Sequence, residues 1–308
     1  MPISFRPILL LAFSLMLSAF FISCHTETGK PARQKKPNEI VLKGSESELK
    51  LIAFLTGAYE KEHPQMKMNL SGGGSAIGIR ALIDGETDIA NCSRLFSSGE
   101  MKEANSKNVN PTPVIIAMDA VVIITNPKVG IDSLSLKQLS GLFSGEIKNW
   151  KEVGGADLPV VIFSRNENSG TYHYILDHLR VNGYPTGTIV KAGNAEIVDA
   201  VSKQAGALGY VNLGSVYDAQ ERPCKTVWVA NIYVEGGLAY SPYEVEYVKN
   251  GEYPLTRPLY QYVNQPASES EMDFIRFELS DKIQLQLQDH GYFPITAMHK
   301  TINAKSGF

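Results

Sequence analysis

Four times along this chain an apolar run ends in a serine-bearing turn. A chain punctuated in that way is built for an open α/β sheet with a ligand at its edge. The clearest case is Ser164-Arg165-Asn166-Glu167-Asn168-Ser169-Gly170-Thr171. The run Leu158–Phe163 comes before it, and Tyr172, Ile175, Leu176 and Leu179 follow at helical spacing. Gly44-Ser45-Glu46-Ser47-Glu48 follows a strand pattern at 39–42, and Ser71-Gly72-Gly73-Gly74-Ser75-Ala76-Ile77-Gly78 follows one at 66–70. Asn91-Cys92-Ser93-Arg94 follows the run 87–91. Helical patterns are expected at 48–63, 76–84, 135–142, 172–180, 195–204 and 269–289, with further strands at 114–125, 188–191, 207–211 and 226–234. Such alternation predicts α/β architecture with mostly parallel sheets.

In open sheets of this kind ligands bind at the carboxyl ends of the strands, where these turns fall. A helix start presents free N–H groups and the positive end of the helix dipole. Ser169 and Thr171 add hydroxyls, and Arg165 adds a planar, permanently charged fork suited to an oxyanion. Glycines at 72–74 let a backbone approach a ligand closely. The same residues would equally make an ordinary helix cap beside a solvated arginine. No lysine follows the glycines in a P-loop pattern and no G-x-G-x-x-G occurs, so nucleotide binding is not indicated.

The first residues read as a targeting segment. Arg6 precedes the apolar stretch Ile8–Ile22, which has signal-peptide length and is short for a membrane span. Residues 1–23 are therefore expected to be a signal peptide. Ser23-Cys24 resembles the lipobox of bacterial lipoproteins, with Phe21 where leucine is usual, so Cys24 is the expected lipidation site and the anchor on a membrane surface. Residues 24–37, with Lys30, Arg33, Lys35, Lys36 and two prolines, read as a flexible tether. About 270 residues follow, enough for two lobes with cores. A net charge of −3 argues against a nucleic-acid partner. Cys92 and Cys224 form neither a disulfide framework nor a metal spacing, and buried free thiols are expected. The six histidines form no H-x-x-x-H pair, so no metal site and no cofactor are expected. No nucleophile elbow surrounds Ser169, and no catalytic residue is assigned.

Taken in order, the turns carry a family resemblance. Gly44-Ser45, Gly72–Gly78 and Asp88–Arg94 are followed by Asp119-Ala120-Val121-Val122 and by Phe143-Ser144-Gly145-Glu146-Ile147-Lys148-Asn149-Trp150. Arg165-(x3)-Ser169-Gly170-Thr171, Gly209-Tyr210-Val211 and Tyr253–Tyr260 complete the set. The chain resembles the phosphate-binding subunit of bacterial phosphate ABC importers of the Pst type. The resemblance implies a type II periplasmic-binding-protein fold with two lobes, each a mixed sheet flanked by helices, joined by two hinge strands. Lobe one is expected at 38–121 with 236–308, and lobe two at 122–235. The implied ligand is inorganic phosphate, held by Ser45, Ser47, Ser75, Ser93, Arg165, Ser169, Gly170 and Thr171. The implied partner is the membrane permease, met by a monomer in the cell envelope.

Ser93-Arg94 stands where better-known members have an aspartate that accepts the proton of hydrogen phosphate. Sulfate has no such proton at neutral pH, so that acceptor decides selectivity. Asp119, at the start of a hinge strand, is a candidate replacement, or equally a structural aspartate at the lobe junction. Glu46 and Glu48 are further candidates, expected rather to be solvated or helix-capping acids. Arg94 is expected either to face the anion or to pair with an acid of the opposite lobe. Alternatives are another oxyanion (sulfate, molybdate or phosphonate), a phosphate sensor, or a phosphatase or acyl hydrolase built on Ser169.

Overall fold

The computed structural model describes Arg33 and residues 35–218 and 222–308. The signal peptide, Cys24 and most of the tether lie outside the described residues. The order is β1 (Glu39–Gly44), α1 (Leu49–Glu62), β2 (Lys67–Ser71), α2 (Ser75–Ile83), β3 (Ile89–Cys92), α3 (Ser98–Ser106), β4 (Pro111–Thr125) and β5 (Ser133–Ser135). Then come α4 (Leu136–Ser144), β6 (Val161–Arg165), α5 (Gly170–Leu179), β7 (Ile189–Lys191), α6 (Asn194–Lys203), β8 (Ala207–Asn212), β9 (Trp228–Val229) and β10 (Asn231–Tyr233). The chain closes with α7 (Val245–Lys249), β11 (Thr256–Asn264), α8 (Glu269–Leu279), α9 (Asp281–Gln284) and α10 (Ala297–Lys305).

The main sheet runs β2-β1-β3-β11-β4-β8-β6-β7, with β9 also on β4 and a separate ribbon of β10 and β5. It is mixed rather than mostly parallel. β1 is parallel to β2 and β3, and β6 to β8 and β7, but β11 is antiparallel to both β3 and β4. The antiparallel pairs arise because β11, a late strand, slots back between β3 and β4, and because β4 also runs antiparallel to β8 and β9, none of which period-2 patterning reveals.

β4 serves both halves of the molecule. Residues 111–120 pair with β11, and Val121–Thr125 pair with β8. Its inward side chains divide at the same point. Val114 and Ile116 join Ile40, Leu42, Leu51, Ile52, Leu259 and Phe274 in one core. Val121–Ile124 join Leu142, Phe143, Trp150, Ile175, Tyr210 and Val211 in another. Two apolar cores on one continuous strand make a two-lobed α/β fold. The return crossing lies beside the outgoing one: Val121 N donates to Leu255 O at 2.9 Å, and Tyr253 Oη donates to Val121 O at 2.9 Å. Val248, Tyr253 and Leu255, expected within lobe one, pack into the second core.

Two long elements are broken. The strand expected at 226–234 divides because β9 pairs with β4 while β10 pairs with β5, and Ala230 N donates to Ile123 O at 3.0 Å where the partner changes. The helix expected at 269–289 stops at Ser280, which is extended (φ −64°, ψ 143°) and returns its hydroxyl to Phe277 O at 2.7 Å. A serine that satisfies a terminal carbonyl in this way favours the end of a helix. The last residues of the tether are not free. Arg33 pairs with Asp88 and Glu39, and Lys35 Nζ lies 2.6 Å from Glu271 and 3.3 Å from Asp88. Asp88 and Glu271 are buried carboxylates, and these cations supply the charge they need.

Candidate functional site

The turn after β1 is set by Gly44, whose φ of +144° suits glycine and whose added Cβ would lie 2.1 Å from Asn91 O. Ser45 N donates to that same carbonyl at 2.8 Å, which buries Ser45 and Ser47 at the end of the sheet. Gly74 N donates to Gly44 O at 2.8 Å and starts α2 at Ser75 beside them. Ser93, just past β3, donates its N–H to Ser75 Oγ at 3.1 Å, and the two hydroxyls lie 3.3 Å apart.

The second lobe brings the start of α5 to the same point. Ser169 caps the helix, its hydroxyl accepting from Tyr172 N at 3.3 Å. The amides of Gly170 and Thr171, in the first turn, have no acceptor within the helix and carry its positive end. A Cβ on Gly170 would lie 2.4 Å from Ser93 Oγ and 2.5 Å from Ser75 Oγ, so only glycine fits between these hydroxyls. Thr171 Oγ1 lies 2.8 Å from Ser47 Oγ, and Ala76 N donates to Asn168 O at 3.0 Å. Hydroxyls from four separate turns and two lobes thus meet in one buried space.

Two guanidinium groups supply its charge. Arg165, at the end of β6, is 1% exposed and donates from Nη1 to Asn194 Oδ1 at 3.0 Å. Its Nε and Nη2 are buried with no acceptor. Burial pulls its pKa below the usual arginine value, with Glu46 acting the other way. Buried, charged donors left unpaired are costly, so this fork fits a site for an anion.

Arg257 is the residue that sequence reasoning missed. The register of β11 on β4 sets it opposite Asp119. Its Nε and Nη2 donate to Asp119 Oδ2 at 3.1 and 3.0 Å, and Nη2 also reaches Ser47 Oγ at 3.1 Å and Thr171 Oγ1 at 3.0 Å. Its plane stacks over the Tyr174 ring, 5.2 Å from the centroid. The available signal was Asp119 itself, an acid in the middle of an apolar strand that requires a buried cation. Asp119 is fully buried, and burial pushes its carboxyl up to about 6 against the pull of Arg257. Its Oδ1 makes no well-formed hydrogen bond, although the Ala120 and Leu213 amides stand near the carboxyl and help hold its pKa down.

The structure therefore brings together Ser47, Ser75, Ser93, Asp119, Gly170 and Thr171, with Ser45 buried in the Ser47 turn, Ser169 committed to its cap and Arg165 buried at the end of the strand that leads into that cap. Arg94 is turned elsewhere. Its guanidinium grips Glu100 through two bonds of 2.8 and 2.7 Å, an acid of its own lobe rather than of the opposite one. Glu48, expected at the surface or in a cap, is wholly buried and makes no cap bond. Beside this locus a groove of about 970 Å³ runs between Arg94, Leu95, Tyr174, Asp177, Arg257 and Tyr260. Among the described residues no cluster of His, Cys, Asp and Glu could hold a metal, and Cys92 and Cys224 are free thiols, with Cys224 only half-buried.

Two lobes on shared strands, with converging hydroxyls and cations between them, define a substrate-binding protein of the type II periplasmic fold. A profile of the PBP superfamily domain matches residues 27–282, and the chain belongs to that superfamily. Similar curated proteins include the phosphate-binding protein PstS of Pseudomonas aeruginosa, 28% identical over 272 residues that cover 82% of each chain. The PstS of Bacillus subtilis is 25% identical over 303 residues, 94% of this chain and 96% of that one. Among solved structures, a proposed phosphate ABC transporter substrate-binding protein from Clostridium perfringens, with bound phosphate, aligns with a TM-score of 0.74 at 26% identity. The alignment covers 84% of this chain and all of that one.

Proposed function

We propose that this chain captures inorganic phosphate between its lobes and delivers it to an ABC importer, by binding alone and without covalent chemistry. The observation that carries this reading is the buried Arg165 fork, with two free donors, four residues before the α5 cap whose Gly170 and Thr171 meet hydroxyls of the other lobe. Arg165 supplies charge, and the amides of Gly170 and Thr171 with the hydroxyls of Ser45, Ser47, Ser75, Ser93 and Thr171 supply hydrogen bonds. Arg257 holds Ser47 and Thr171 in place and adds a second positive charge. Charge-assisted bonds contribute roughly 1.5–3 kcal/mol each, so a handful, less the entropy of ordering, support micromolar or tighter binding. The phosphate-binding relatives, each covered over most of its length, support the choice of anion.

Asp119 is the proposed acceptor. Oδ2 is held by Arg257 while Oδ1 is free to take the proton of hydrogen phosphate. With a pKa of about 6 it is mostly ionised at pH 7.5. As pH falls through 6 it gains a proton, becomes a donor and loses its reason to refuse sulfate. Calorimetric titration of the mature domain at pH 7.5 should show phosphate bound and sulfate refused, with sulfate binding emerging below about pH 6. Asp119→Asn should admit sulfate at both pH values. Equal binding of the two anions by the wild type at pH 7.5 would end the phosphate reading, and continued refusal of sulfate by Asp119→Asn would remove Asp119 from the site.

The rest of the proposal concerns placement. The chain acts as a monomer, is exported by residues 1–23 and is held on the membrane surface through Cys24. Lobe one comprises 38–120 with 256–308, and lobe two the residues between, the hinge lying where Val121 meets Leu255. Among the described residues no helix is long and apolar enough to cross a membrane.

A further inference from the structure

One acid in the wall of the site takes no part in the account above. Glu48 follows Ser47 directly and stands at the start of α1, yet it is 0% exposed. Neither carboxyl oxygen makes a well-formed hydrogen bond, its nearest donors being the Ser45 hydroxyl and the Cys92 backbone, and among the described residues it has no ion pair. Around its carboxyl stand the Ser45 hydroxyl and the Cys92 backbone and thiol, the Arg257 cation, the carboxyls of Asp119 and Glu278, and Tyr292. The one cation in this set is already engaged by Asp119 at 3.0 Å. A wholly buried carboxylate with only weak donors and no counter-ion of its own is poorly tolerated, and it takes up a proton instead. Burial, the largest influence, pushes the group well above the ordinary glutamate value, with Asp119 pushing the same way and Ser45, Arg257 and the Cys92 backbone opposing it.

We infer that Glu48 is a neutral carboxylic acid built into the anion site, and that its proton sets the strength of binding. This inference rests on the phosphate-binding reading. With Glu48 protonated, the buried cations Arg165 and Arg257 face Asp119, with Glu46 only half-buried near Arg165, a surplus of buried positive charge for a dianion. With Glu48 ionised the surplus vanishes, and a second carboxylate stands close to the bound anion. Glu48 is thus a positioning and tuning residue: it acts through Ser45, Arg257 and the local field. The consequence is a weakening of phosphate binding on the alkaline side, and uptake of a proton whenever phosphate binds there.

The test compares wild type with Glu48→Gln, a neutral group of the same shape, by calorimetry with phosphate between pH 6 and 10. Both should bind phosphate at pH 7. As pH rises the wild type should lose about tenfold more affinity than Glu48→Gln, the size expected for one added charge in a partly desolvated site. The difference between the proteins cancels the titration of phosphate, Cys92 and the tyrosines. Coincident profiles would overturn the inference while leaving phosphate binding in place. Failure of Glu48→Gln to bind at pH 7 while folded would do the same, and absence of wild-type binding at every pH would overturn the underlying reading with it. If Glu48→Gln does not fold, the wild type decides at pH 9 in two buffers of different ionisation enthalpy. Net proton uptake on binding supports the inference, and none refutes it.

Discussion

Arg257→Ala should both unfold the protein more readily and abolish anion binding, and it should be the most damaging single substitution in the site. Removing one partner of a buried ion pair costs about 3–5 kcal/mol, because the other charge is left uncompensated. For a chain of this size that corresponds to a fall in Tm of roughly 6–15 °C. The charge left behind is Asp119, which can escape by taking a proton. Its pKa, already about 6 with the arginine present, rises further without it. The penalty of Arg257→Ala is therefore smaller at pH 5 than at pH 8, and calorimetric melting at the two values should show that order. Asp119→Asn in the Arg257→Ala background should restore part of the loss, because the two residues act as one pair. A penalty independent of pH, or no recovery in the double variant, would show that the pair does not hold the crossing strands together.

Arg165→Ala should separate binding from stability. Arg165 makes one side-chain hydrogen bond in the protein, to Asn194, and carries two buried donors with none. Removing it deletes a desolvated charge that the fold does not use, so Tm should change by no more than a few degrees. The loss in the site is of another size. Two charge-assisted bonds at roughly 1.5–3 kcal/mol each amount to about two to four decades of affinity. Retained phosphate binding in a folded Arg165→Ala protein would place the anion elsewhere. The contrast between the two arginines follows from their partners: Arg257 is tied to Asp119, Ser47 and Thr171, and Arg165 is held ready for something outside the chain.

What could be read from the sequence divides along a physical line. Local signals were sufficient for the strand–turn–helix units, because apolar period, glycine and serine act over a few residues. They located Ser45, Ser47, Ser75, Ser93 and the 169–171 turn, which do converge. Partner choice was not legible. Whether Arg94 would meet an anion or an acid depended on Glu100 being six residues away on the same lobe. Arg257 carries no local signal of its own, and only the slotting of β11 between β3 and β4 sets it against Asp119. Glu48 carried a surface residue's signature, and only the packing of β3, β4, β11 and α8 around it made it a buried acid. The ties of the last tether residues were illegible for the same reason, since Arg33 and Lys35 meet buried carboxylates over 50 positions away.

The central claim is that one anion sits where the four turns and Arg165 meet. A crystal structure of the mature domain grown with phosphate tests it directly. Phosphate should lie within hydrogen-bond reach of Arg165 Nη2, the Gly170 and Thr171 amides and Ser75 Oγ, with one oxygen against Asp119 Oδ1. Phosphate bound instead in the groove beside Arg94 and Tyr174, or density for no anion between the lobes at saturating phosphate, would contradict it.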